Sequence, residues 1–177
     1  FGGTLPTSIE RVTFSNIGGG IFLLMPTTIT VNATFTNGVV TSDATNLLIF
    51  TDNATSSLTP ANAASPSYVS GPVRKVGNDD FTFPVGKAGT GFVPIRIEDV
   101  TNANSVFTAE YIRTTPPNRT EITATGIQNI SKCEYWVLDR AAGTTSTADI
   151  IAYWNANSPC DAGPYVTQPT SMRLVHY

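Results

Sequence analysis

Short apolar stretches alternate with Thr, Asn and Gly along almost the whole chain. No window repeats apolar residues at the three- and four-residue intervals of an amphipathic helix, and Pro or Gly interrupts most long stretches. The one helical turn that the pattern allows covers Asp139 to Ala142, before Gly143. Elsewhere the alternation of apolar and polar positions, bounded by turn residues, predicts β-strands. These are expected near Glu10–Phe14, Ile21–Leu24, Thr28–Phe35, Val39–Thr41, Leu47–Phe50, Tyr68–Ser70, Arg74–Val76, Phe81–Val85, Val93–Ile97, Phe107–Ile112, Glu121–Ala124, Glu134–Leu138, Ile150–Trp154 and Met172–His176.

The first half of the chain repeats a short apolar core flanked by Asn, Thr and Gly. Ile9–Asn16, Thr28–Thr41 and Thr45–Ala54 share this cadence, at a spacing of roughly 18–20 residues that suits the coils of a β-solenoid. One such coil cannot bury its inner face, whereas stacked coils can. The spacing alone favours a solenoid and an ordinary β-sandwich edge about equally. Asp52 to Pro66 is polar and rich in Ala, Ser and Pro, which predicts a surface loop.

The second half has longer alternating strands and most of the aromatic residues. Phe107–Arg113 alternates cleanly, with Phe107, Ala109 and Tyr111 on one face. About seven or eight strands in a segment of this length match the size of a β-sandwich. The sequence therefore predicts an all-β protein, in which a short β-solenoid-like segment, residues 1–76, packs end-on against an antiparallel β-sandwich, residues 77–177. The sandwich would cap one open end of the solenoid, where unpaired edges would otherwise be exposed.

Gly71 to Lys87 joins the two halves and is expected to form two short strands around a turn. Asn78, Asp79 and Asp80 lie in that turn. They are the best candidates for calcium ligands, because Ca²⁺ takes oxygen ligands from turn Asp, Asn and carbonyl groups. The alternative is a plain hairpin tip, where Asn and Asp support the turn conformation. The neighbouring basic pair, residues 74 and 75, is expected to make salt bridges or shield a sheet edge rather than bind an anion.

The charge content narrows the range of partners. Charged residues make up 13% of the chain, about half the usual share, and the formal net charge is −3. This composition provides no basic surface for nucleic acid, so no nucleic-acid partner is expected. No apolar run approaches the roughly 18 residues that a membrane-spanning helix needs, so no membrane span is expected either.

The two cysteines, Cys133 and Cys160, are candidates for a disulfide. A buried pair of free thiols is the alternative. The low charge, abundant Thr and Asn and scarce Lys favour the disulfide, since they are typical of an exported protein. The chain begins at Phe1 without a leader-like segment, and any signal peptide is expected to have been removed or to lie outside this sequence.

Motifs for catalysis are missing from the sequence. Catalytic triads and most zinc sites require a histidine. His176 is the only histidine of this chain, and it lies one residue from the end of the sequence. The carboxylates are scattered, and no spacing pairs two of them as a glycosidase would require. We therefore expect no enzymatic activity, with a hydrolase as the weakest hypothesis. No cofactor is expected, with calcium as the alternative.

Two tryptophans raise a binding alternative. Trp136 and Trp154 each follow a tyrosine in a predicted strand. Core and rim packing is the more common role of such residues, and a platform on which sugar rings stack is the alternative.

Six segments carry a resemblance to known proteins: Gly71–Gly77, Phe81–Gly86, Val93–Ile95, Phe107–Tyr111, Cys133–Arg140 and Met172–Tyr177. Together they resemble a module of very large, secreted, multidomain surface proteins of Bacteroidetes that are exported by the type IX system. The first half is similar to the repetitive β-helical segment that often precedes this module. Proteins of this kind look like adhesins or stalks and generally have no assigned catalytic residues. The sorting domain that they usually carry at the C-terminus is not seen here, which implies a fragment, a processed piece or a subunit of an assembly.

From the residues and the resemblance we expect a secreted, cell-surface structural or adhesive module, such as a stalk, surface-layer or fibre subunit. Self-association by β-addition at exposed strand edges, or contact with neighbouring modules of the same protein, would be its mode of assembly. The alternative function is carbohydrate binding, with surface glycans as partners of the exposed aromatic residues.

Overall fold

The computed structural model describes residues 6–62, 64–117, 126–127, 129–155, 157 and 172–175. These residues form fifteen β-strands and one short 3₁₀ turn, Pro60–Asn62, without an α-helix, which confirms the all-β prediction. The strands are β1 Ser8–Ser15, β2 Ile21–Phe22, β3 Thr27–Asn37, β4 Val40–Thr41, β5 Leu48–Phe50, β6 Thr55–Ser56, β7 Val69–Ser70, β8 Val73–Val76, β9 Phe81–Phe83, β10 Gly86–Lys87, β11 Gly91–Phe92, β12 Ile95–Glu98, β13 Val106–Ile112, β14 Tyr135–Ala142 and β15 Asp149–Ala152.

The N-terminal strands wind into a solenoid of about three turns, as the repeat predicts. β1, β3, β5 and β8 lie side by side and parallel in one sheet, and β2, β4 and β7 do the same in a second. The register shows the coil length: Ser8 lies beside Thr28, Thr28 beside Ile49, and Ile49 beside Arg74. β6 adds a further parallel contact on the second part of β3.

Stacking places equivalent side chains of successive coils in columns inside the solenoid. This is why short apolar runs suffice: each coil covers the apolar face of the one before it. Burial of one such side chain contributes about 1.5–3 kcal/mol. In the second sheet the column is aliphatic throughout, and in the first it ends on a lysine. The columns are Ile21–Val40–Val69–Val85 and Ile9–Ile29–Phe50–Lys75.

β8 is the strand at which parallel pairing changes to antiparallel pairing. On one side it lies parallel to β5, and on the other it pairs antiparallel with β13. β13 pairs antiparallel with β14. The path β1–β3–β5–β8–β13–β14 is therefore one continuous sheet that runs from the solenoid into the C-terminal half.

The remaining C-terminal strands form a separate antiparallel sheet, β15–β12–β9, and the small hairpin β10–β11. Phe81 of β9 lies 4.9 Å from Phe50 of β5, between ring centroids. Phe81, Phe83, Ile97 and Phe50 belong to a single hydrophobic core that both halves share. The antiparallel part thus packs directly on the last coil.

Some local predictions need correction. The helical turn over Asp139–Ala142 is wrong, because β14 runs through to Ala142 and pairs there with β13. The predicted strand Met172–His176 is also wrong over residues 172–175, which have no regular structure. The predicted strand at 121–124 and the residue His176 lie outside the described residues. The surface loop over 52–66 is confirmed only in part, because it contains β6 and buries Ala54 and Leu58.

Candidate functional site

The turn after β8 is organised around a buried lysine. Lys75 is fully buried, and its Nζ donates to the Thr51 carbonyl oxygen at 2.7 Å and to Asp79 Oδ2 at 2.6 Å. The same Asp79 oxygen accepts the Asn53 backbone N–H at 2.6 Å. The Phe81 ring centroid lies 5.4 Å from Nζ, within the range of a cation–π contact. The ammonium therefore connects the last coil, the turn and the first strand of the antiparallel part.

Asp79 is adapted to this partner. Burial acts to raise the pKa of its carboxyl, but hydrogen bonds from Lys75 and the Asn53 backbone outweigh burial, and the net pKa is lowered. The carboxylate is 29% exposed. Asp79 is thus ionised at neutral pH and neutralises the lysine charge inside the protein.

The other two calcium candidates lie apart from that contact. Asp80 Oδ1 accepts the Asp99 backbone N–H at 3.2 Å, and its Oδ2 is 3.4 Å from Arg96 Nη2. Asn78 is exposed at the turn. The structure therefore pairs each of the two aspartates with a basic side chain of the protein. Within the described residues, no group of three or more His, Cys, Asp or Glu side chains lies close enough to hold a metal ion.

The two tryptophans occupy different environments. Trp136 in β14 is half-buried, its Nε1–H donates to the Val93 carbonyl oxygen at 3.2 Å, and its ring centroid lies 5.6 Å from that of Tyr111. Trp154 follows β15 and is exposed. Trp154 is therefore the one of the pair whose ring is more available to a partner.

Tyr111 is a buried, hydrogen-bonded residue of β13. Its side chain is fully buried, and its hydroxyl donates to Glu134 Oε2. Burial, followed by the hydrogen bond to Glu134, raises the pKa of Tyr111 above its ordinary value. The neutral phenol is the form that this core accommodates.

Cys133 lies two residues before the start of β14. It is not a free thiol. Its proposed partner, Cys160, lies outside the described residues, so the disulfide stays a prediction.

The first coil of the solenoid, which contains β1 and β2, forms an open end of the molecule. Among the described residues, no strand pairs with the outer side of β1 or of β2. Three large apolar side chains stand exposed here: Ile17 at 91%, Phe22 at 68% and Leu24 at 88%. A shallow groove of about 400 Å³ lies beside Phe22, between Val39 and Pro66. Unpaired strand edges next to apolar side chains are typical of a surface for strand addition.

Two strands of the C-terminal half, β14 and β15, also lie at sheet edges. β14 is the last strand of the long sheet and β15 the last strand of the short antiparallel sheet, for the part of the chain that is described. Val137 on β14 and Ile151 on β15 are exposed, as is Trp154 beyond β15. The molecule therefore carries strand edges with exposed apolar residues at both ends.

Sequence reasoning missed the most informative of these features. The Lys75 contacts depend on Thr51, which no local pattern connects to residue 75. The exposure of Ile17 and Leu24 was also not foreseen, although the break that Gly18–Gly20 makes after Asn16 could have indicated a corner there.

Comparisons with known proteins find no matching family model, no similar curated protein and no similar solved structure. In the part of the chain that is described, no helix combines the length and apolar character that crossing a bilayer requires.

Proposed function

We propose that this chain is a non-catalytic structural module of an extracellular, cell-surface protein, of the stalk, surface-layer or fibre type, and that it associates through its sheet edges. The observation that supports the proposal is the open first coil. On its outer side, where none of the described strands pairs with it, β1 presents the backbone N–H and C=O groups of an eight-residue strand. Such groups bind another strand readily because each pairing satisfies donors and acceptors at once.

The apolar side chains beside this edge strengthen the proposal. Covering one of Ile17, Phe22 or Leu24 would contribute about 1.5–3 kcal/mol, in addition to the backbone hydrogen bonds. A solenoid gains stability from each added coil in the same way. A partner on the open coil would thus make the same two kinds of interaction that hold the three coils together, namely strand pairing and apolar contact.

The extracellular setting is part of the proposal. It draws on the low charge of the chain, on the resemblance to secreted surface proteins, and on the disulfide predicted between Cys133 and Cys160. A disulfide that closes a loop of this size would add about 3 kcal/mol of stability.

Sedimentation velocity over a range of concentrations tests the association. The wild type is expected to show species larger than the monomer, and Phe22→Asp should reduce them because it places a charge in the exposed apolar surface. Thr45→Asp is the matched control, since Thr45 is exposed in the turn between β4 and β5, in the second coil. A strictly monomeric wild type at all concentrations would contradict the proposal.

Carbohydrate binding is a second candidate, favoured by the exposed ring of Trp154. A glycan array would give signal with the wild type that is lost in Trp154→Ala, while circular dichroism stays unchanged. No signal for the wild type on any glycan would remove this candidate.

A further inference from the structure

We propose that the chain assembles head to tail: β14 of one copy adds alongside β1 of the next copy, and the long sheet continues from molecule to molecule as an open filament. This inference rests on the proposed function and specifies its partner as a second copy of the same chain. It excludes the simpler alternative, a closed dimer in which two β1 edges or two β14 edges meet across a two-fold axis.

Strand direction is the first support. β1, β3, β5 and β8 all run parallel, β13 is antiparallel to β8, and β14 is antiparallel to β13. Two reversals restore the original direction, so β14 runs parallel to β1. A copy translated along the sheet would therefore bring β14 beside β1 with the parallel polarity that the solenoid already uses.

The two edge strands also match in length and charge. β1 and β14 each contain eight residues. Each carries one acidic and one basic side chain, Glu10 and Arg11 in β1 and Asp139 and Arg140 in β14. Charged residues on an edge discourage indiscriminate pairing, whereas opposite charges on neighbouring strands stabilise a specific pair. The edges of β1 and β14 therefore both carry charges of either sign, which a β14–β1 contact can pair.

The side chains of the two strands also agree with a continued core. Val12 and Phe14 of β1 pack on the inner side of the sheet, and so do Trp136 and Leu138 of β14. Thr13 and Val137, between these residues, are exposed on the outer side. Joined edges would therefore extend the inner apolar layer from one copy to the next.

Cysteine cross-linking of the full chain distinguishes the arrangements. Thr13→Cys marks the outer face of β1 and Val137→Cys that of β14. A flexible bismaleimide bridges neighbouring strands and tolerates a shift of a few residues along them. The samples are each single variant, their equimolar mixture, and the double variant. The wild type measures the background from the native cysteines, and Ala44→Cys, at an exposed turn residue, replaces Thr13→Cys in a control mixture.

Head-to-tail assembly predicts that neither single variant cross-links above background. The mixture should give covalent dimers, the double variant a ladder of dimers, trimers and longer species, and the control mixture only background. Cross-linked dimers of either single variant alone would show a two-fold contact and overturn this inference, while leaving association through edges intact. Association in sedimentation without any cross-link would likewise overturn the β14–β1 contact but not the proposed function. A strictly monomeric wild type would overturn both.

Discussion

Asp79→Ala is predicted to destabilise the protein strongly, because it leaves the Lys75 ammonium buried. Among the described residues, Nζ would retain only the Thr51 carbonyl oxygen and the Phe81 ring as partners. Removing one partner of a buried ion pair costs about 3–5 kcal/mol. Asp79 is 29% exposed, so water can reach part of the vacated space, and we expect the lower end, about 3 kcal/mol. For a chain of this size that corresponds to a melting temperature lower by roughly 6–12 °C.

A double-mutant cycle separates this effect from general damage. Lys75→Met keeps the apolar stem of the side chain but removes the charge, and it should cost about 1–3 kcal/mol through the lost hydrogen bonds. In the double variant no charge is left buried, so it should be more stable than Asp79→Ala alone. Urea unfolding followed by circular dichroism measures all four proteins. Costs that add within about 0.5 kcal/mol would refute the pairing.

The pH dependence gives the same contact a second test. The pKa of Asp79 is lowered in the folded state, so its contribution is complete above the unfolded pKa of about 3.9 and is lost as the pH falls through the folded value. The stability difference between wild type and Asp79→Asn should therefore shrink in acid. A difference that stays constant from neutral pH to about pH 2 would contradict an ionised Asp79 in the pair.

Three further predictions concern the fold. Gly77 has a φ of 108°, and a Cβ there would lie 2.0 Å from an oxygen of the Asp52 side chain. Gly77→Val should therefore lower the free energy of unfolding in urea by more than about 1 kcal/mol. Gly19→Ala is the control and should be nearly neutral, because the space around Gly19 is open. Because the pKa of Tyr111 is raised, the stabilisation it gives should be complete below about pH 10 and decline above it; Tyr111→Phe should lack that decline, and equal alkaline profiles would count against the buried phenol. Finally, the disulfide predicts that the unreduced chain resists thiol alkylation in denaturant, which intact mass measures. Alkylation of both cysteines without reductant would exclude the disulfide.

The coil period was predictable because it is a local signal. Apolar runs around Ile9, Ile29 and Ile49 recur once per coil, and stacking demands that recurrence. The calcium hypothesis at Asn78–Asp80 arose from the same local reasoning. It did not foresee that the last core column ends on Lys75, which supplies a positive charge to Asp79 from within the protein.

Long-range pairing set the features that sequence could not provide. Asp139–Ala142 has acceptable local chemistry for a helical turn, yet the ladder with β13 continues there, where Phe107 lies beside Arg140. Tertiary pairing of this kind overrides weak local propensity. Nor could the sequence predict which strands lie at a sheet edge, because an edge strand is identified by the absence of a neighbouring strand on one side.

Electron microscopy of concentrated native protein is the sharpest test of assembly through the sheet edges. Six strands lie along the continuous path of the long sheet, so each added copy should advance a filament by six strand spacings, about 29 Å. Head-to-tail assembly predicts thin, unbranched filaments with that axial repeat. Isolated particles of monomer size at every concentration would contradict it.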